Sequence, residues 1–263
     1  MEYFLAVFVF LAGLCIGSFA NVCIYRLPKK LSIVKPGSKC PSCDTPIKPW
    51  HNIPIFSFIF LSGKCAYCGA GISRRYPLIE LICGILFIYA FYDLFYLQKN
   101  IYLFLVGLYL SAAFLIIFVI DLDHKIIPDP ISVSGIIVGF AAGFLPNMPL
   151  NWLGSLIGIL VGGGLFLAIA EIGDRVFKKE SMGGGDIKLA AMIGAFLGWK
   201  GILMVLGIGS FLGALIGGLA LILAKNRESA RTIPFGPFLV TAAMIVFYWG
   251  NDLLNAYLKF MGL

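Results

Sequence analysis

The sequence contains little charge and almost no histidine. Only 13% of its 263 residues are charged, about half the share typical of soluble domains, and 60% are hydrophobic. With a mean hydropathy of +0.96, this composition excludes an ordinary soluble protein. The two histidines, His51 and His124, are far apart in the sequence. His124 is therefore interpreted as an interfacial polar residue rather than a metal ligand.

Several catalytic motifs are also absent. The sequence has no Gly-x-Ser-x-Gly elbow, no His-Glu-x-x-His, no Walker loop and no Gly-x-Gly-x-x-Gly after a strand. Serine, metallo- and nucleotide-driven chemistry therefore lack candidate residues. The first apolar segment has no basic leader, because the chain begins Met1-Glu2-Tyr3. It is expected to be a membrane span rather than a secretory signal.

Long apolar runs occupy most of the chain. A bilayer-spanning helix needs about 20 such residues. We predict eight spans: 3–24, 78–97, 101–120, 130–146, 152–174, 187–199, 201–224 and 234–250. The sixth is short, which leaves a re-entrant or tilted segment as an alternative. Small-residue patterns such as Gly154-x3-Gly158 predict close helix packing.

The distribution of basic residues predicts the orientation. Arg26, Lys29 and Lys30 follow the first span, which places the N-terminus outside and residues 26–77 in the cytoplasm. Only three of the 20 Lys and Arg residues then lie outside, namely Lys99, Lys200 and Lys259. The other 17 lie on the cytoplasmic side. The net charge of +7 is explained by the excess of basic residues on the cytoplasmic side and by their contact with anionic lipid. No nucleic-acid partner is expected.

Four cysteines predict a metal site in the soluble segment. Cys40-Pro-Ser-Cys43 and Cys65-Ala-Tyr-Cys68 are Cys-x-x-Cys pairs about 20 residues apart, a spacing typical of tetrahedral zinc. Four thiolates leave no open coordination position, so the zinc would be structural. It would supply folding energy to a segment too short for a large core. The alternative is a pair of free or redox-active dithiols.

Two aspartates at span ends are candidate catalytic residues. Asp121 ends the third span, and Asp186 begins the sixth after three glycines. Carboxylates beside hydrocarbon are expensive to keep, which favours a functional role. Two that face each other would share a proton, and the pair could hydrolyse a peptide bond as in aspartic proteases. Asp123 is the alternative to Asp121, while helix capping explains an isolated interfacial aspartate equally well.

These motifs resemble the prepilin peptidases, bifunctional leader peptidase/N-methyltransferases of type IV pilus and type II secretion systems. Gly183-Gly184-Gly185-Asp186-Ile187-Lys188 fits the family's Gly-x-Gly-Asp-x-Lys signature. The resemblance covers nearly the whole chain and includes four further elements: Gly17–Pro28, the two cysteine pairs, Arg74–Glu80 and Pro234–Phe238. Ala20 departs from the leucine that many members have there.

The resemblance implies a function. The substrates would be prepilin and pseudopilin precursors, cut after a basic leader at the cytoplasmic face of the bacterial inner membrane. The new N-terminal amine would then be methylated with S-adenosylmethionine. Asp121 and Asp186 would be catalytic, with Gly183, Gly185 and Lys188 in the active-site loop. The residues that bind S-adenosylmethionine are not identified, and Gly17–Arg26 and Glu80 are only guesses at that site.

The predicted fold is an all-α polytopic membrane protein with a small zinc-stapled domain. Its divisions are the first transmembrane helix at 1–24, a cytoplasmic zinc-binding region at 25–77 and a transmembrane peptidase domain at 78–263. An ion-coupled transporter with a zinc-stapled domain is one alternative, because glycine-broken helices and membrane carboxylates also suit ion coupling. A peptidase that cleaves without methylating is another.

Overall fold

The computed structural model describes residues 2–178, 182–223 and 234–262. These residues form helices joined by loops with two isolated β-bridges, which confirms the prediction of an all-helical chain. The helices are α1 (Glu2–Arg26), α2 (Phe56–Phe60), α3 (Arg75–Ala90), α4 (Ile101–His124), α5 (Asp129–Ala142), α6 (Trp152–Phe177), α7 (Gly184–Leu223) and α8 (Gly236–Phe260). A 3₁₀ turn covers Pro49–His51, and α3 continues as a π-helix over Phe91–Leu97.

Within these described ranges, six helices are long and apolar enough to cross a membrane. The count differs from eight for two reasons. Predicted span 130–146 corresponds to α5, which has 14 residues. Predicted spans 187–199 and 201–224 fall in α7, which is interrupted at Gly198 rather than divided by a loop. The φ of 69° at Gly198 is a left-handed value that glycine adopts at little cost.

The chain divides into two compact units, Met1–Ile116 and Ile117–Leu263, and the division falls within α4. The first unit contains the four paired cysteines, and the second contains both candidate catalytic aspartates. The loop predicted near 175–186 lies partly outside the described residues. The loop predicted near 225–233 lies wholly outside them.

In the first unit, α1 and α3 pack closely through small residues. A Cβ at Gly13 would lie 2.8 Å from the Cα of Gly84, and one at Gly17 would lie 2.7 Å from the Cα of Glu80. Such distances leave no room for a side chain between the two backbones. Glycines thus let these helices approach at the point where α3 carries the buried Glu80.

In the second unit, α6 and α7 cross through glycine against glycine. A Cβ at Gly158 would lie 2.8 Å from the Cα of Gly198 and closer still to the carbonyl oxygen of Gly194. The buried Ser155 hydroxyl donates a 2.8 Å hydrogen bond to the carbonyl oxygen of Ala195 at the same crossing. The close packing predicted from Gly154-x3-Gly158 is therefore confirmed at Gly158.

Replacing Gly158 with alanine should destabilise the protein. The added methyl group would overlap the α7 backbone, which has no flexible side chain to move aside. We therefore expect the free energy of unfolding to fall by about 1–3 kcal/mol. Thermal unfolding in detergent, followed by tryptophan fluorescence, measures this as a lower midpoint. Gly164→Ala is the matched control on the same helix, because a Cβ there meets no other atom within 4 Å. Equal midpoints for the two variants would contradict the packing argument.

Candidate active site

Asp121 lies in the last turn of α4, and its side chain is buried. The residue is only 4% exposed, which is unusual for a carboxylate in apolar surroundings. Its oxygens lie directly against Gly236, where a Cβ would overlap Oδ2. The backbone N–H of Gly236 donates a hydrogen bond to this carboxylate. Because Gly236 is the first residue of α8, that N–H has no partner within its own helix.

Asp186 lies in the first turn of α7 and caps that turn. Its backbone N–H donates to the carbonyl oxygen of Gly183 at 3.0 Å, and its carboxylate accepts a hydrogen bond from the N–H of Gly183. This is the acidic half of a capping box, in which the third helical residue reaches back to the residue before the helix. The side chain is partly buried. The helix start therefore fixes the orientation of Asp186.

Ile127 lies next to backbone segments that adjoin both aspartates. A Cβ at Gly185 would lie 3.0 Å from the Cβ of Ile127, and one at Gly236 would lie 3.4 Å from its Cδ1. One isoleucine side chain therefore touches both the residue beside Asp186 and the residue that holds Asp121. The two carboxylates also lie close enough to interact electrostatically. The structure thus brings together two acids that are 65 positions apart in the sequence.

The glycines before Asp186 differ in their contacts. Gly185 packs tightly against Ile127 and leaves little space for a side chain, whereas Cβ positions at Gly183 and Gly184 meet no other helix. Of the three glycines, Gly185 is therefore the one at which the backbone packs closely against a neighbouring residue.

Asp123 differs from Asp121 in its surroundings. It lies two residues further along α4, so a helical rotation of about 200° separates the two side chains. Asp123 is exposed while Asp121 is buried. The geometry therefore favours Asp121 as the partner of Asp186.

Lys188, in the second turn of α7, forms an ion pair with Asp129 at the start of α5. The Lys188 Nζ lies 2.7 Å from the Asp129 Oδ1, with side chains 43% and 60% exposed. Sequence reasoning missed this pair, because it treated Asp129 only as a helix-end residue. The two residues are 59 positions apart, and no spacing pattern connects them. The ion pair ties the start of α7 to the start of α5.

The four paired cysteines of the first unit form one cluster. Their Sγ atoms all lie within 4.8 Å of one another, and those of Cys40 and Cys68 are 3.9 Å apart. A tetrahedral zinc ion with sulfur ligands at 2.3 Å requires sulfur separations of about 3.8 Å. The donor set and its geometry therefore fit a structural zinc ion.

The two Cys-x-x-Cys turns share one backbone pattern. In the first, the N–H of Cys40 donates to the carbonyl oxygen of Thr45 at 3.0 Å, and a β-bridge joins Lys39 to Pro46. In the second turn, the N–H of Cys65 donates to the carbonyl oxygen of Ala70 at 2.8 Å, and a β-bridge joins Lys64 to Gly71. Each turn closes through a left-handed residue, Asp44 and Gly69 respectively. The φ of 71° at Gly69 is a left-handed value that glycine adopts at little cost.

Local hydrogen bonds favour thiolates at two of the four cysteines. The hydroxyl of Thr45 lowers the pKa of Cys43, and the backbone amides of Cys68 and Tyr67 lower the pKa of Cys65. Since metals bind the thiolate rather than the thiol, these contacts favour metal binding at those two residues. At Cys68 the backbone amide of Ala70 also lowers the pKa, but desolvation and the neighbouring thiols outweigh it and raise the pKa to about 11.

Glu80 and Asn21 are buried polar residues of the first unit, and each has a protein partner. The Asn21 amide donates to the carbonyl oxygen of Tyr76 at 3.1 Å, and Glu80 accepts a 2.8 Å hydrogen bond from the N–H of Ile55. These contacts give both residues structural roles. They do not form a recognisable site for S-adenosylmethionine, so we assign no residue to that cofactor.

Comparison with known proteins identifies the family. A model described as the type IV leader peptidase family matches residues 108–218, which include both aspartates. A second, described as the bacterial peptidase A24 N-terminal domain, matches residues 11–94. The chain belongs to the type IV leader peptidase family. The resemblance seen in the sequence motifs is thereby confirmed.

Curated members of this family match over most of their length. A prepilin leader peptidase/N-methyltransferase of Xanthomonas campestris is 36% identical, over 95% of this chain and 93% of the relative. One from Pseudomonas aeruginosa is 35% identical, over 96% and 93%. A third, from Myxococcus xanthus, is 41% identical over 86% of this chain and 66% of its own. No solved structure matches the chain.

The cysteine cluster should bind about one zinc ion per chain, because its sulfur geometry fits tetrahedral coordination. Elemental analysis by mass spectrometry of the purified protein measures the zinc content. Cys40→Ser and Cys65→Ser should each lose the metal and increase proteolysis within residues 27–74. Cys15→Ser is the control, since this exposed cysteine lies in α1 outside the cluster. Metal-free parent protein, or zinc retained in both cluster variants, would contradict the assignment.

The Lys188–Asp129 pair should show a small favourable coupling. Because both side chains are partly exposed, water screens the interaction and we expect about 0.2–1 kcal/mol. A double-mutant cycle with Lys188→Met and Asp129→Asn, followed by chemical unfolding in detergent, measures it. The charge-exchanged variant, Asp129→Lys with Lys188→Asp, should recover part of the lost stability. A coupling of zero would show that the contact does not hold the start of α7.

Proposed function

We propose that the chain cleaves the leader peptide from type IV prepilins and pseudopilins with Asp121 and Asp186 as its catalytic pair. The observation that carries this proposal is the convergence of the two carboxylates around Ile127. Support comes from the family membership and from relatives named prepilin leader peptidase/N-methyltransferase. The relatives' names offer no support for the ion-coupled transporter.

The two acids would share one proton and act together. Like charges at close range disfavour double ionisation, so the pair would hold one proton. Each acid accepts a backbone N–H at a helix start, Asp121 from Gly236 and Asp186 from Gly183, so these contacts do not separate the two roles. The ionised acid would take a proton from the attacking water, and the protonated acid would polarise the peptide carbonyl.

Glycines make room for an extended substrate beside these acids. Hydrolysis requires an unwound peptide, and Gly183 and Gly184 present backbone without side chains next to Asp186. We propose that Gly183, Gly185 and Lys188 form the active-site loop. In this proposal the missing side chain at Gly185 lets the loop backbone pack against Ile127. Lys188 holds the loop against α5 through Asp129.

The proposed membrane arrangement keeps all eight crossings. We assign α5 and both parts of α7 as crossings in addition to the remaining long helices of the described ranges. The N-terminus would lie outside, with both aspartates and the zinc region at the cytoplasmic face of the inner membrane. The divisions would be a first helix at 1–24, a zinc-binding region at 25–77 and a peptidase domain at 78–263.

We also propose that the chain methylates the new N-terminal amine. The support is the name N-methyltransferase carried by the relatives. S-adenosylmethionine would supply the methyl group to the free amine. Since no residue is assigned to the cofactor, we derive no step of the transfer. A family member that cleaves without methylating is the alternative.

Asn substitution of either catalytic acid should abolish leader cleavage while the protein stays folded in detergent. Each acid has a separate role in proton transfer, so we expect a rate loss of about 100-fold or more. Mass spectrometry of a purified prepilin, incubated with each variant, detects loss of the leader. Asp123→Asn is the matched control on α4 and should cleave normally. Cleavage retained by Asp121→Asn or Asp186→Asn would exclude that residue from catalysis.

The same assay separates the two activities. With S-adenosylmethionine, the product of the unaltered protein should gain the mass of one methyl group. Without it, cleavage should proceed and the methyl group should be missing. A product that is never methylated would identify the chain as a cleavage-only member.

A further inference from the structure

Glu80 is a buried carboxylate that the proposed chemistry does not use. It lies in the second turn of α3 and is 7% exposed. Its Oε2 accepts a 2.8 Å hydrogen bond from the N–H of Ile55, and the hydroxyl of Ser18 also donates to the carboxylate. The contact with Ile55 ties the residues before α2 to α3.

Ile55 adopts a conformation that is rare for a β-branched residue. Its φ of 61° and ψ of −52° lie in the positive-φ γ-turn region, and the N–H of Phe56 donates to the carbonyl oxygen of Pro54 at 2.6 Å. Ser57 reinforces the turn from inside, since its hydroxyl accepts from Ile53 at 2.8 Å and donates to Trp50 at 3.0 Å. The surrounding contacts hold this strained turn in one conformation.

The turn directs the apolar face of α2 outward. Phe60 is 82% exposed, Ile59 64% and Phe56 48%, while Ser57 is buried. Trp50, just before the turn, is 59% exposed. Residues three and four apart share a helix face, so Phe56, Ile59 and Phe60 form one exposed surface. We call Trp50–Phe60 the anchor segment.

The hydrogen bond to Glu80 fixes the depth of the anchor segment. Glu80 lies five residues after Arg75, the first residue of a candidate membrane span, which is about 7.5 Å along the helix axis. Because helical side chains point back toward the helix N-terminus, the start of α2 lies beside the first two turns of a helix that is apolar enough to cross a membrane. With the bilayer beginning at the start of this helix, the exposed face of α2 would lie among lipid headgroups and the first methylenes of the acyl chains.

Basic residues accompany this apolar surface. Lys48 and Lys64 are exposed and flank the anchor segment in the sequence, and Arg74 is exposed directly before α3. The Lys48 ammonium lies 5.4 Å from the centroid of the Trp50 ring. Aromatic side chains beside lysine and arginine are typical of segments bound to anionic membrane surfaces. We propose that the anchor segment inserts into the interfacial layer of an anionic bilayer and holds the cysteine cluster against the membrane.

Cysteine accessibility tests the proposal in nanodiscs, in which both membrane faces are open to reagent. Phe60→Cys is compared with Val34→Cys, because Val34 is 76% exposed in the same soluble segment but lies outside the anchor. Labelling with a water-soluble maleimide is followed by mass-spectrometric mapping of the modified position. Since the reagent needs a hydrated thiolate, residue 60 should react roughly tenfold more slowly than residue 34.

A second measurement compares the labelling of residue 60 in two lipid compositions. Protection of residue 60 should increase when phosphatidylglycerol replaces part of the phosphatidylcholine in the nanodisc. Equal labelling of the two positions in both lipids would overturn the proposal. Protection that appears only after a prepilin is added would assign the surface to the substrate and would also overturn it. Because no step depends on cleavage, failure here leaves the proposed peptidase function unaffected.

If Phe60→Cys does not fold, as judged by loss of the zinc content of the parent protein, Ile59→Cys replaces it with the same expected outcome. A variant with Trp50 as its sole tryptophan provides an independent measurement. Its fluorescence should be quenched by brominated lipids in substrate-free nanodiscs. Quenching by aqueous acrylamide but not by brominated lipid would contradict insertion.

Discussion

The structure depends on backbone N–H donors for its buried carboxylates. Asp121 accepts from Gly236, Asp186 from Gly183 and Glu80 from Ile55. A carboxylate without such a donor would lose its hydration without compensation, at a cost of several kcal/mol. In all three cases a backbone N–H donates, and at Glu80 the hydroxyl of Ser18 donates as well. A backbone N–H does not ionise at ordinary pH, and its hydrogen bond favours the ionised form of the acid.

Glycine makes these arrangements possible. A side chain at Gly236 would displace the Asp121 carboxylate, and one at Gly185 would push Ile127 away. The crossing of α6 and α7 depends in the same way on Gly158 and Gly194. Glycine lowers helix stability by about 1 kcal/mol relative to alanine. The gain is a short distance between backbones, which two carboxylates from different helices require in order to meet.

Much of the fold was predictable because hydropathy and motif spacing are local signals. The apolar runs located the helices, and the Cys-x-x-Cys pairs predicted the cluster that the structure shows. The contact of Asp121 with Gly236 was not predictable, since it joins residues 115 positions apart in the sequence. The Lys188–Asp129 pair was missed for the same reason, because 59 positions separate its two residues. Burial distinguished Asp121 from Asp123, which sequence alone left open.

The capping role of Asp186 has a consequence for turnover. The carboxylate of Asp186, one of the two that would share a proton, also accepts from the N–H of Gly183 and so closes the first turn of α7. Protonation weakens an acceptor, and the first turn of a helix frays when its cap is lost. The start of α7 would therefore be held less firmly whenever the shared proton resides on Asp186.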